Sequence, residues 1–148
     1  MVLVGRSRCR WANEAVEDYR KRLRRAGGVD EIAVRSELHR GDDDAVRRVE
    51  GERLLKAVRP RDRLVVLDER GLDLDTGGFT ELVRKGRGSG TLVFALGGAY
   101  GHSEVVRKAG WRVVRLSSLV MNHEVARVVL YEQLYRAMTI IDGVPYHH

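Results

Sequence analysis

The chain has 148 residues, 43% hydrophobic and 32% charged, which is the composition of one globular domain and excludes a disordered or fibrous polypeptide. Its single cysteine, Cys9, rules out an intramolecular disulfide, and no apolar run reaches the roughly 18 residues that a membrane-spanning helix needs. The formal net charge of +6 is uneven: residues 1–63 hold 17 Lys/Arg against 12 Asp/Glu and residues 64–148 hold 10 against 9, so the N-terminal part is the better side to face a polyanion.

In chain order, "MVLVG" (1–5) reads as a first strand. Its apolar part, Met1 to Val4, is too short for a signal peptide, and together with the lone cysteine it points to a cytoplasmic protein. Residues 11–25 read as a helix, with Ala12, Ala15, Val16, Tyr19 and Leu23 at three- and four-residue steps. That helix ends in "RKRLRR" (20–25), the densest run of cations, which serves either as a solvated face or as a basic patch. "EIAVR" (31–35) is a short second strand. Residues 42–58 predict a helix that opens on three aspartates, where the helix dipole favours them, with Val46, Val49, Leu54 and Leu55 as its apolar positions.

"RLVVLDERG" (63–71) is a strand that runs into a polar turn, and "GGFTELVRKG" (77–86) is a short helix closed by Gly86. "TLVFALGG" (91–98) is nearly all apolar, as a strand covered on both faces should be. "HSEVVRKAG" (102–110) is a brief helix capped by Ser103 and ended by Gly110. "WRVVRL" (111–116) is the last strand, and in "SSLVMNHEVARVVLYEQLYRAM" (117–138) a polar turn becomes a long apolar helix. Such alternation predicts an α/β fold, a mainly parallel sheet flanked by helices, in a single domain over residues 1–148.

Ligands of parallel sheets bind at the loops that follow the strands. Three loops qualify: "LDERG", "LGGAYGHS" and "LSSLVMNH". The glycines Gly97, Gly98 and Gly101 let a backbone approach a ligand closely, or they make a plain tight turn; their spacing is neither a dinucleotide fingerprint nor a P-loop. Asp68 and Glu69 suit a ribose or a surface turn, and with no Cys/His set at ligand spacing nearby no metal is expected. In the last helix Ala126, Leu130, Leu134, Ala137, Met138 and Ile141 share one face, into which Arg127 projects. Val125, Val128, Val129 and Ile140 lie on the other side among Glu132, Arg136 and Thr139. Two apolar sides need two partners, the sheet and a second subunit, or else a fully buried helix in a monomer. A buried Arg127 needs a carboxylate or carbonyl in either case.

The three loops in this order, the pair His123 and Arg127 in H-x-x-x-R, the run "EQLYRA" (132–137) and the C-terminal "PYH" (145–147) resemble the ribosomal large subunit methyltransferase H family, of the SPOUT superfamily of knotted RNA methyltransferases. The resemblance runs the length of the chain and is strongest from Thr91 onward. It implies S-adenosylmethionine as cofactor and a C-terminal deep trefoil knot. It also implies a homodimer with active sites at the interface. The implied partner is 23S ribosomal RNA in the large subunit of the assembled 70S ribosome, methylated at N3 of a pseudouridine. By position, the cofactor-binding residues it implies are Leu67, Gly97, Leu116, Ser117, Ser118, Leu119, Val120 and Met121. Loss of the N3 proton makes His123, Tyr146 and His147 the catalytic candidates, helped by the cation of Arg127.

The chain departs from the family at Ala99-Tyr100-Gly101 after the paired glycines, at Leu72 in place of a lysine, and at Glu124 in place of a proline. Two other readings follow: a catalytically silent RNA- or ribosome-binding module of the same fold, and a SPOUT methyltransferase with another RNA substrate. A generic nucleotide-binding α/β protein lacks its phosphate motifs here.

Overall fold

The apolar runs become five strands in the computed structural model of the chain, which describes residues 1–88 and 90–146. They are β1 (Val2–Val4), β2 (Ile32–Val34), β3 (Arg63–Asp73), β4 (Leu92–Leu96) and β5 (Arg112–Arg115), in the order β2-β1-β4-β3-β5. Every pairing between neighbouring strands is parallel. The helices are α1 (Arg10–Leu23), α2 (Asp43–Lys56), α3 (Thr76–Arg87), α4 (Glu104–Ala109) and α5 (His123–Asp142). Among the described residues, no helix is long and apolar enough to cross a membrane.

Side chains alternate across a strand, and this splits the core in two. Leu3, Val65, Leu67, Phe94, Leu96 and Val114 face α1, α3 and α5, where they meet Val16, Phe79, Leu82, Leu130 and Leu134. Val2, Val4, Leu64, Val66, Val93 and Ala95 face the other way, onto Leu54 of α2 and Val106 of α4. Both faces are thus covered, which explains the nearly unbroken apolar runs of the central strands.

The helices start and stop for local reasons. Asp42, Asp75 and Ser103 accept hydrogen bonds from the backbone of the first turns of α2, α3 and α4. Asn122 does the same for α5 by accepting from the Glu124 N–H at 2.9 Å, so residues 117–122 stay a loop and the helix begins at His123. At its far end the helix runs past residue 138 to Asp142, and Gly143 closes it in the left-handed region with φ of 66°.

β3 departs from the expected strand followed by a turn. Leu67 pairs with Val114, the chain makes its polar excursion at Asp68–Gly71, and Leu72 then pairs with Val114 again. The return is possible because residue 71 is glycine: a Cβ there would lie 2.5 Å from the backbone N and C of Val114.

Candidate functional site

Five parallel strands run toward one edge of the sheet, and the polar excursion at Asp68–Gly71 within β3 and the loops after β4 and β5 enclose a cleft of about 820 Å³ there. Small-molecule sites span roughly 300–1,000 Å³. The first turn of α5 and the first turns of α2 complete its walls. The three loops singled out in the sequence therefore meet at one place.

The loop after β4 forms one wall. Gly101 turns back with φ of 74°, and its N–H bonds the Gly98 carbonyl at 3.1 Å. Tyr100 stacks on His39 with ring centroids 4.8 Å apart, and Arg47 donates to the Tyr100 carbonyl at 3.3 Å. Glu50 of α2 lies beneath, 4% exposed. Its Oε1 accepts the Glu37 N–H at 2.9 Å, and its Oε2, against Gly98, has no partner. Burial pushes this carboxyl up from its ordinary value.

His102 follows the glycines and lines the cleft, only 4% exposed. Its Nε2 has no hydrogen-bond partner and reaches to 3.2 Å of where a Cβ on Gly97 would be, so any larger residue there would crowd the ring. Burial pulls the imidazole down, against the opposing pull of the Asp68 carboxylate, and keeps it neutral at pH 7. Arg107 braces the wall by donating to the His102 carbonyl at 2.5 Å and to Asp68 Oδ2 at 3.1 Å. Asp68 Oδ1 accepts the Arg70 N–H at 3.0 Å. Nothing in the spacing of the sequence marks His102, Arg107 or Glu50, whose roles come from contacts across elements.

Leu67, Gly97, Leu116, Ser117, Leu119, Val120 and Met121 all line the cleft. Ser118, in the same loop, is exposed and does not. His123 lines the cleft at the start of α5, with 48% of its side chain exposed and Nε2 3.4 Å from Glu124 Oε1. Arg127 lies elsewhere, 7% exposed, with its guanidinium bound to Glu31 and Asn13. Tyr146 also lies away from the cleft: its hydroxyl donates to Glu132 Oε1 at 3.3 Å and its ring meets Tyr135 edge-on at 4.7 Å. His147 falls outside the described residues. Among the described residues, no group of three or more His, Cys, Asp or Glu side chains is arranged to hold a metal ion.

The arrangement can hold a small ligand of mixed polarity. Leucines and Met121 offer apolar surface, glycines admit close backbone approach, and Asp68 and Glu69 bring negative charge.

Comparison with known proteins gives the family. The family described as "Predicted SPOUT methyltransferase" matches residues 1–147. Three relatives called "Ribosomal RNA large subunit methyltransferase H" align with the whole chain and 97% of their own length. They come from Pelobacter propionicus (43% identical), Trichlorobacter lovleyi (42%) and Geotalea daltonii (39%). With a match over nearly its full length and relatives of this similarity, the chain belongs to the SPOUT methyltransferase family.

Proposed function

We propose that this chain transfers the methyl group of S-adenosylmethionine to ribosomal RNA of the large subunit, at N3 of a pseudouridine in 23S rRNA. It acts as a single methyltransferase domain, as a homodimer, on the assembled ribosome in the cytoplasm. One observation carries the reading. The polar excursion within β3 and the loops after β4 and β5 converge on a single cleft with His123 at its edge. The names of the bacterial relatives support the substrate.

The cleft fits the cofactor. Leu67, Leu116 and Met121 suit the flat face of an adenine, and Gly97 allows it close to the backbone. The buried, unpartnered Nε2 of His102 is a polar atom in want of a ligand group. Glu69, exposed and without an ion pair among the described residues, suits a molecule that carries both a sulfonium and an ammonium. When bound, S-adenosylmethionine supplies a methyl group that is already electrophilic.

The protein's work is alignment and proton removal. Holding a nucleophilic nitrogen in line is worth about 7–11 kcal/mol of barrier. His123, half-exposed at the edge of the cleft, takes the N3 proton. Arg127, committed to Glu31, sets the first turn of α5 and so positions His123. The tail bearing Tyr146 and His147 serves the neighbouring protomer's cleft. Val125, Val129 and Ile140 support the homodimer, since they lie on α5 outside both core clusters. A deep trefoil knot in the C-terminal part belongs to this reading, on the strength of membership in the SPOUT family.

A calorimetric titration with S-adenosylmethionine and its demethylated product, followed by methyl transfer to ribosomes that lack the modification, tests the proposal. Saturable binding and transfer are expected. A folded dimer that binds neither ligand favours the silent RNA-binding module, and binding without transfer to ribosomes favours another RNA.

A further inference from the structure

We propose that Arg6, Arg8, Arg35 and Arg40 form the track that holds the phosphate backbone of the RNA substrate beside the cleft. The identity of the polyanion as RNA rests on the methyltransferase reading above.

Topology places these residues. All strands run the same way, so the segments after β1 and β2 emerge on the edge that carries the cleft. β1 is the neighbour of β4, whose glycine loop is a wall of the cleft. The end of β1 abuts that loop: Val4 Cγ1 is 3.1 Å from where a Cβ on Gly98 would lie. The segment after β2 abuts it too, through the Glu37 N–H on Glu50 and the ring of His39 on Tyr100. Arg6 and Arg8 leave the first of these segments, and Arg35 and Arg40 flank the second.

Their charge is unspent, and their place beside the cleft sets them apart from other exposed cations. All four are exposed, and among the described residues none has a carboxylate within ion-pair distance. The denser run at 20–25 is partly spent inside the chain: Arg20 pairs with Glu17 and Arg22 with Asp18, and Arg22 also lies over the rings of Tyr19 and Tyr135.

The cleft cannot anchor a polyanion by itself. Its lining carries Asp43, Asp44, Asp68, Glu69 and Glu104, and of its cations Arg47, Arg107 and Arg115 are already paired with acids, so among the described residues only Arg70 is left exposed without an ion pair to oppose that negative charge. RNA brought to this cleft needs cations at its border, and the β1 and β2 segments provide them. Trp11, 53% exposed just beyond Arg8, adds a flat face on which an unpaired base can stack.

Cations that bind phosphates release counterions, and removing one such cation flattens the slope of log affinity against log salt by about 0.7–0.9. The test is sedimentation binding to vacant 70S ribosomes over a range of salt. It compares wild type with Arg6→Gln/Arg8→Gln, with Arg35→Gln/Arg40→Gln, and with Arg59→Gln/Arg61→Gln as a control. Arg59 and Arg61 are equally exposed but precede β3, at the opposite edge of the sheet. Each track variant should flatten the slope by about 1.4–1.8 and weaken binding at least tenfold at about 0.15 M salt, with cofactor affinity unchanged. The control should keep the wild-type slope. Track variants that keep the wild-type slope, or a control that loses as much, overturn the proposal, as does a wild type that does not bind ribosomes. A wild type that binds ribosomes through the track but no cofactor defeats the methyltransferase reading alone.

Discussion

Arg127 and Glu31, 96 residues apart in sequence, form a two-pronged ion pair inside the protein, with Nε on Oε1 at 2.8 Å and Nη2 on Oε2 at 2.7 Å. Asn13 accepts from the remaining Nη1 at 2.8 Å. The group ties the start of α5 to the entrance of β2 and to α1. Burial pushes the Glu31 carboxyl up, but Arg127 outweighs it and the net shift is downward. A lowered carboxyl contributes stability that is present above its unfolded value, about 4.3, and is lost as pH falls through the folded value. Arg127→Met leaves Glu31 buried without its cation and should cost about 3–5 kcal/mol in urea unfolding. Adding Glu31→Leu should recover most of the loss. No recovery would mean that Arg127 acts through some other group.

Chemistry and cofactor binding should separate at His123. His123→Ala should lower the rate of methyl transfer by about 10²–10⁴ while leaving calorimetric affinity for the demethylated cofactor unchanged. Truncation after Val144, which removes Tyr146 and His147, should leave a folded dimer without transfer activity. A truncated protein that transfers at near-normal rate takes the tail out of the mechanism.

Val129 is half-buried in one chain and packs against neither core cluster, alongside Val125 and Ile140. Val129→Glu places a charge in the proposed dimer face and should give monomers in analytical ultracentrifugation. An unchanged dimer would move the interface off this side of α5.

His102 makes stability depend on pH in a known direction. Burial lowers its folded value, so the unfolded ring takes a proton near 6.5 while the native ring resists. Its contribution is intact above about pH 6.5 and declines as pH falls from there toward the folded value. His102→Leu should therefore lose less stability than wild type between about pH 7 and pH 5, measured as the urea midpoint. Equal losses in the two proteins would assign the acid sensitivity to other groups.

Gly71→Ala should be among the most damaging single-methyl additions in the chain. The new Cβ would lie 2.5 Å from backbone atoms of Val114, which cannot turn aside as a side chain can. A loss of about 3 kcal/mol or more is expected in thermal or urea unfolding. A near-neutral result would mean that the Asp68–Gly71 excursion shifts freely, and the wall it makes would then be soft.

The strand and helix pattern was legible in the sequence because it is a local property. Alternating and three-to-four-residue apolar steps repeat within each element, and a cap such as Ser103 acts on the next turn. Parallel strands made the binding edge legible too, and the three loops they pointed to meet at one cleft; Leu67, Gly97, Leu116 and Met121, which the family resemblance implied, are among its lining residues. The start of α5 was legible as well: the polar turn gives way to the helix at His123, although Leu119–Met121 before it are apolar.

Tertiary structure alone decided what those groups touch. It gave Arg127 a carboxylate from the other end of the chain and set Tyr146 against Glu132 instead of the cleft. It also buried His102 with a free nitrogen beside Gly97. These facts depend on the strand order β2-β1-β4-β3-β5, which brings together segments far apart in the chain. Local periodicity says which face of an element is buried. The partner that meets that face, and hence whether a polar group there is paired, solvated or left for a ligand, is set by packing between elements, which no local spacing records.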